Sequence, residues 1–323
     1  MPFAGWMIIK NGSRRITLFT AILYCAFVPL IPILPNLYTL IALYIAMGVA
    51  TGMLDVAMNA QAVVIERAYN RPIMTSFHAL FSIGMALGGL CGAFFSSVDI
   101  NLLYHFSIVV GIALLALAWS SRNLIRDKPD PNVKHEGPLF QLPNRALINI
   151  GIITFCCMLG EGAMSDWSVN YMEKIVHASE TLAPFALTSF AAAMTLGRIV
   201  GDKTRVQFGD RRVIIVGGVL ATIGLVCPLL FPIASISIIG FFFVGLGLST
   251  IVPIGYSIAG NSKALPPGVG LAMVTTVGYS GFLFGPPIIG FISEAENLRF
   301  ALVFVAILFL IMTILGLRYQ QRS

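Results

Sequence analysis

Apolar residues in this chain fall into ten runs, at roughly 16–34, 37–63, 73–96, 102–120, 146–170, 181–200, 213–231, 233–259, 266–293 and 298–317. A hydrocarbon core of about 30 Å takes about 20 apolar residues in a helix to cross. Lipid offers no partner to exposed backbone N–H and C=O groups, so runs of this length and polarity predict ten membrane-spanning helices. Most interruptions are short and carry turn residues: Asn11-Gly12, Pro35-Asn36 and Pro266-Pro267. A further apolar stub covers 1–9. The one long polar interruption, 121–145, holds Pro129, Pro131, Pro138 and Pro143 with five Lys/Arg and three Asp/Glu, which predicts a flexible linker between two halves, 1–120 and 146–323.

Composition agrees with a lipid environment. Hydrophobic residues make up 57% of the 323 and charged residues 11%, with a mean hydropathy of +0.89. A soluble domain carries about 25% charged residues, so this chain keeps no water-facing surface of ordinary size. The fold class expected is all-α integral membrane. A secretory signal peptide is not expected, because the first Lys, Lys10, follows the apolar stub instead of preceding it.

The net charge of +6 changes the picture only through its placement. Counted around alternate loops, one side of the membrane collects 18 of the 20 Lys/Arg and the other has only Lys174 and Arg299. The excess of Lys/Arg on cytoplasmic loops then assigns the linker and the C-terminus to the cytoplasm, in a multi-pass cell-membrane (inner or plasma membrane) protein. A wrong number of spans would scramble that alternation. The positive charge is thus a signal of orientation, and nucleic acid is not an expected partner.

Two stretches resemble each other across the linker. Gly201–Arg212 aligns with Gly5–Arg15 so that Gly209, Arg211 and Arg212 fall on Gly12, Arg14 and Arg15, an offset of 197. Thr75 and His78 fall on Thr276 and Tyr279 at an offset of 201. Nearly equal offsets on both sides of a linker predict two parallel repeats of about 200 residues. The stretch Gly201-Asp202 to Phe208-Gly209-Asp210-Arg211-Arg212 is similar to the loop signature of the major facilitator superfamily, and Gly5 stands where the first copy should have its Asp. Gly52-Met-Leu-Asp55-Val-Ala-Met-Asn59 resembles the acidic fourth span of the fucose-permease-like branch. Gly160-Glu161-Gly162-Ala-Met-Ser-Asp166-Trp167, and Gly278-Tyr279 followed by Gly285-Pro286-Pro287, look like spans seven and eleven of an uncharacterised bacterial group near it. This resemblance implies two parallel six-helix repeats. The ten runs would then be family spans 3–12, the first two being absent and the stub being the end of span 2.

Ionisable groups inside apolar runs cost roughly 2.5–3.5 kcal/mol each at the bilayer centre and are functional candidates for that reason. Asp55 shares one helical face with Gly48, Thr51, Gly52, Asn59 and Ala62, a small-and-polar stripe suited to a cavity or a neighbouring helix. Asp55 and Asn59 are therefore candidates for binding substrate or proton, against a structural pairing. His78 is more simply a satisfied structural group, with proton transfer as the sharper alternative. Glu161 stands between two glycines, which permit close backbone approach or local unwinding. Tyr279 joins the candidates through the repeat and the resemblance. Gly201, Asp202, Arg205, Gly209, Arg211 and Arg212, with Arg198, form a charged cytoplasmic clasp. In the family that loop is implicated in holding one conformation during alternating access. Glu66, Arg67 and Arg71 read as a solvated loop.

The five cysteines lie inside apolar runs and form no CxxC or Cys/His cluster, so no zinc site, no other metal site and no disulfide framework is expected. No GxxxxGK[ST], HExxH or GxSxG sequence occurs, which argues against ATP-driven transport and against an enzyme, and no cofactor is implied. The expected function is secondary active transport of a small, polar, sugar-like solute, coupled to protons, by alternating access. Its partners would be that solute, the proton and the lipid bilayer. Two alternatives differ in kind: an exporter of amphipathic compounds, and a truncated, non-transporting remnant or sensor.

Overall fold

A computed structural model of the chain describes residues 1–127, 145–262, 265 and 267–319. The described residues form twelve α-helices and one 3₁₀ segment. They are α1 (Pro2–Asn11), α2 (Ser13–Phe27) with the 3₁₀ segment Val28–Ile33, α3 (Leu37–Tyr69), α4 (Met74–Ser97), α5 (Leu102–Ser120), α6 (Arg145–Lys174), α7 (Pro184–Phe208), α8 (Asp210–Leu230), α9 (Ala234–Leu248), α10 (Ile251–Gly260), α11 (Pro267–Ala295) and α12 (Leu298–Arg318). Ten helical segments are long and apolar enough to cross a bilayer, one for each run in the sequence. Helices α9 and α10 make up a single span, Ala234–Gly260, interrupted at Ser249 and Thr250. Pro253 has no N–H to give the carbonyl of Ser249, so the hydrogen-bond ladder breaks there. Of the predicted linker, 121–145, residues 128–144 lie outside the described residues.

Local chemistry starts and stops these helices. The side chains of Asn36, Asn101 and Asn297 accept from the N–H groups of Thr39, Leu103 and Phe300 and so cap α3, α5 and α12. Asn70, in the left-handed region at φ 51°, ends α3. Gly12 joins α1 to α2 at φ 81°, ψ 152°, and Gly209 joins α7 to α8 at φ 79°, ψ 153°. A positive φ of this kind favours glycine. Two matching junctions 197 residues apart give the internal repeat a backbone counterpart.

The chain forms two compact units. The first comprises Met1–Asn70, Ile83–Leu142 and Gly260–Ala272. The second comprises Arg71–Ser82, Pro143–Ala259 and Met273–Ser323, so the start of α4 belongs with the second unit and the start of α11 with the first. In the first unit α2 packs along α3 and, with the 3₁₀ segment, against α5. Its apolar surface is open: α5 buries no residue, and Leu115 and Trp119 are 73% and 72% exposed. Surface of that kind is compatible with lipid and not with water.

The second unit has a dense core. Tyr171, Phe241, Tyr256 and Phe309 are fully buried, and the Tyr171 hydroxyl donates to the carbonyl of Pro228 at 2.6 Å. Helices α8 and α9 touch backbone to backbone, with Gly217 against Gly247 and Gly224 against Gly240. Small residues at membrane-helix interfaces permit that approach, and dispersion between the helices then takes the place of a hydrophobic driving force.

Candidate functional site

Asp55 and Asn59 lie one turn apart on α3 in the first unit, and both are buried. The Asn59 amide donates to the Asp55 carbonyl at 2.8 Å and to its Oδ1 at 3.1 Å. The polar stripe expected of the sequence therefore exists as a bonded pair.

Glu161, His78 and Tyr279 fall in the second unit, where a fourth residue, Arg198 of α7, organises two of them. Arg198 Nη2 meets Glu161 Oε1 at 3.2 Å, and Nη1 donates to Ser82 Oγ at 2.6 Å. Ser82 in turn donates to the His78 carbonyl at 3.2 Å, one turn back on α4. The His78 ring lies against Tyr256, with centroids 5.8 Å apart. Arg198 Nε and His78 Nε2 are both buried and have no hydrogen-bond partner. A buried polar atom without a hydrogen-bond partner costs on the order of 1–3 kcal/mol, so two such atoms at one place mark a polar site with unused capacity.

The glycines around Glu161 have a packing cause. Helix α6 is unbroken across them, so close approach, not unwinding, is what they provide. A Cβ at Gly160 would strike the Phe309 ring of α12, and one at Gly162 would press to 3.0 Å on Phe282 of α11. Tyr279 stands beside Phe282, ring centroids 5.9 Å apart.

The signature from Gly201 to Arg212 is helix for most of its length and not loop: α7 runs to Phe208, and Gly209 alone joins it to α8. Polar side chains end an apolar run without ending a hydrogen-bonded helix, which continues past the apolar zone. The Asp202 carboxylate accepts from the Thr75 N–H (3.0 Å), the Ser76 N–H (2.8 Å) and the Ser76 hydroxyl (2.6 Å), and so caps the start of α4 from another helix. Gly201 packs on Thr75 and Thr250. Arg205 Nε bonds Asp210 Oδ1 at 2.8 Å, Nη2 donates to Ser257 Oγ at 3.0 Å, and Nη1 lies 3.9 Å from Asp202 Oδ1. Arg211 donates to the Leu317 carbonyl at 2.6 Å, and Arg212 is exposed. Arg198 is not part of this group. It lies one turn earlier, and its side chain goes to Glu161 and Ser82 instead.

Two polar networks of the first unit were not legible as such. Asp127 caps α2, accepting from the N–H groups of Ser13 (2.7 Å) and Arg14 (3.3 Å), while Gln61 accepts from the Ser13 hydroxyl at 2.8 Å and donates to the Ile125 carbonyl at 3.2 Å. Glu66 and Arg67 are not a solvated loop. Glu66 is 6% exposed and accepts from Asn261 Nδ2, while Arg67 donates to Asn261 Oδ1 and to the Gly260 carbonyl. Nothing in the sequence spacing pairs residues so far apart. A carboxylate or amide in the polar margin of an apolar helix was the only available signal. Among the described residues no group of three His, Cys, Asp or Glu could hold a metal ion.

The family model of the Major Facilitator Superfamily matches residues 1–160 and again 150–323. The chain belongs to that superfamily. An uncharacterised superfamily transporter of Yersinia pestis is 35% identical over 310 residues, covering 96% of this chain and 80% of that protein. The membrane protein MosC of Rhizobium meliloti is 33% identical over 310 residues, covering 94% of this chain and 74% of its own length. Among solved structures, the fucose:proton symporter FucP of E. coli superposes with a TM-score of 0.80 over 99% of this chain and 87% of that one, at 18% identity. The fold is that of the major facilitator superfamily, and this multi-pass membrane protein is a transporter and not an enzyme.

Proposed function

We propose that this chain is a secondary transporter that moves a small, polar, sugar-like solute across the inner membrane with protons, by alternating access. The observation that carries this is the placement of carboxylates within apolar spans, each already engaged by a polar partner: Asp55 with Asn59, and Glu161 with Arg198. A carboxylate kept from water can take up and release a proton as its surroundings alternate between the two sides. The fold relative whose name states a proton-coupled sugar activity, FucP, is consistent with the same chemistry here.

In this scheme the halves 1–120 and 146–323 alternate about the solute, and the linker and C-terminus face the cytoplasm. Asp202, Arg205 and Asp210 form a latch. By capping α4, Asp202 stabilises one arrangement of the cytoplasmic helix ends, and release of the cap accompanies the change of access. Asp55→Asn is the direct test of proton coupling. It keeps the bond to Asn59 within reach but removes the titrating group, so the variant should insert and fold and should fail to accumulate solute against a gradient. Undiminished accumulation would reduce Asp55 to a structural role.

A further inference from the structure

The Glu161–Arg198 pair has an asymmetry that a purely structural ion pair does not need. The Arg198 side chain keeps 8% of its surface exposed and that of Glu161 keeps 23%. A carboxylate turned toward lipid would carry the full cost of a charge in hydrocarbon, so the open end of the pair belongs on a water-accessible side. The contact is single, one Nη on one Oε at 3.2 Å, and not the two-pronged pairing that guanidinium and carboxylate form when nothing else competes. The guanidinium then has Nε left over, and the buried Nε2 of His78 is equally unused.

Arginine stays protonated, and Glu161 is the one carboxylate in contact with Arg198 among the described residues. The other titratable groups around the pair are His78 of α4, within electrostatic range of Arg198, and Cys157 of α6, one turn from Glu161 and within range of both. Tyr256 of α10 backs His78. None of these supplies a second negative charge in contact with the guanidinium. Protonation of Glu161 therefore leaves a buried cation uncompensated, and an uncompensated buried charge is strongly unfavourable.

We infer that Arg198 is a carboxylate-binding site that Glu161 occupies until it is protonated, and that the transported solute is a small hydroxylated acid of the sugar-acid class. Proton and anion each favour the binding of the other: the proton removes the competing carboxylate, and the anion replaces its charge on Arg198. Ser82 and the free nitrogens of Arg198 and His78 remain for the hydroxyl groups and second carboxylate oxygen of the solute. One proton then enters with each anion, and the loaded site carries the same net charge as the empty one. This inference rests on the transport reading for its biological meaning, but its binding claim stands apart from transport.

The test uses the full chain purified in detergent, with gluconate as probe and glucose at matched sodium chloride as the neutral control. Thermal unfolding at about pH 6 and about pH 7 should give wild-type protein a gluconate affinity on the order of tenfold higher at the lower pH, the slope that uptake of one proton sets, with no response to glucose. Glu161→Gln should bind gluconate at both pH values alike, because Arg198 is then always vacant, and Arg198→Gln should lose the response. A second measurement needs no variant: gluconate added to lightly buffered wild-type protein near neutral pH should draw about one proton per bound anion from solution. Wild-type protein without a gluconate response at either pH, a Glu161→Gln response that keeps the wild-type pH dependence, or binding without proton uptake would each overturn the inference. Proton-linked gluconate binding in a chain that accumulates no solute in vesicles would contradict the transport reading alone. Accumulation of neutral sugar without a gluconate response would contradict this inference alone.

Discussion

Single side chains decide the character of the second unit. Gly160 lies so close to the Phe309 ring that any Cβ must displace it, whereas Gly84 on α4 has nothing within 4 Å of that position. Gly160→Val should therefore destabilise the protein by about 1–3 kcal/mol through overpacking, measured as a lower unfolding midpoint in detergent, while Gly84→Ala should leave that midpoint unchanged or raise it. If both variants melt together with wild type, α6 and α12 do not pack as described. At this scale the sequence was legible in part. Asp55, His78 and Glu161 stand out because an ionisable group inside an apolar run is conspicuous whatever its partner. Arg198 reads in the sequence as part of the cytoplasmic clasp, because it stands at the end of such a run, one turn before Asp202. Its engagement with Glu161 and Ser82 depends on how three helices cross, and no periodicity along one helix contains that information.

The helices themselves were almost fully legible, since ten apolar runs became ten candidate spans. Their ends were less so. The signature after Gly201 reads as loop because it is polar, yet eight of its residues, Gly201–Phe208, complete α7. Hydropathy reports where lipid ends, and backbone hydrogen bonding reports where the helix ends. The extension places Asp202 on a rigid helix facing the start of α4, where it satisfies two backbone N–H groups that the helix itself cannot. Asp202→Asn keeps one acceptor oxygen and loses the charge, so it should weaken this cap by about 0.5–2 kcal/mol. Cysteines introduced near the start of α4 should then be labelled faster by a water-soluble maleimide. Unchanged labelling rates would mean that the cap does not hold these helix ends together.

For the whole molecule, the repeat was visible as weak matches at offsets of 197 and 201, and the paired glycine junctions at Gly12 and Gly209 give it a conformational basis. The compact units were not visible, because the chain order of helices does not say that the first turns of α4 belong with the second unit or those of α11 with the first. Orientation follows from charge alone: reporters fused after Lys134 and Arg318 should read as cytoplasmic, and those after Lys174 and Arg299 as external. A reporter at Lys134 appearing outside would overturn the order of spans. The central claim is proton-driven transport, and the most direct measurement is solute accumulation in proteoliposomes under an imposed pH gradient, with gluconate and fucose as labelled probes. The account predicts uptake above equilibrium that collapses with a protonophore and is absent in Asp55→Asn. Uptake that survives both, or vesicles that accumulate neither probe above protein-free controls, would contradict it.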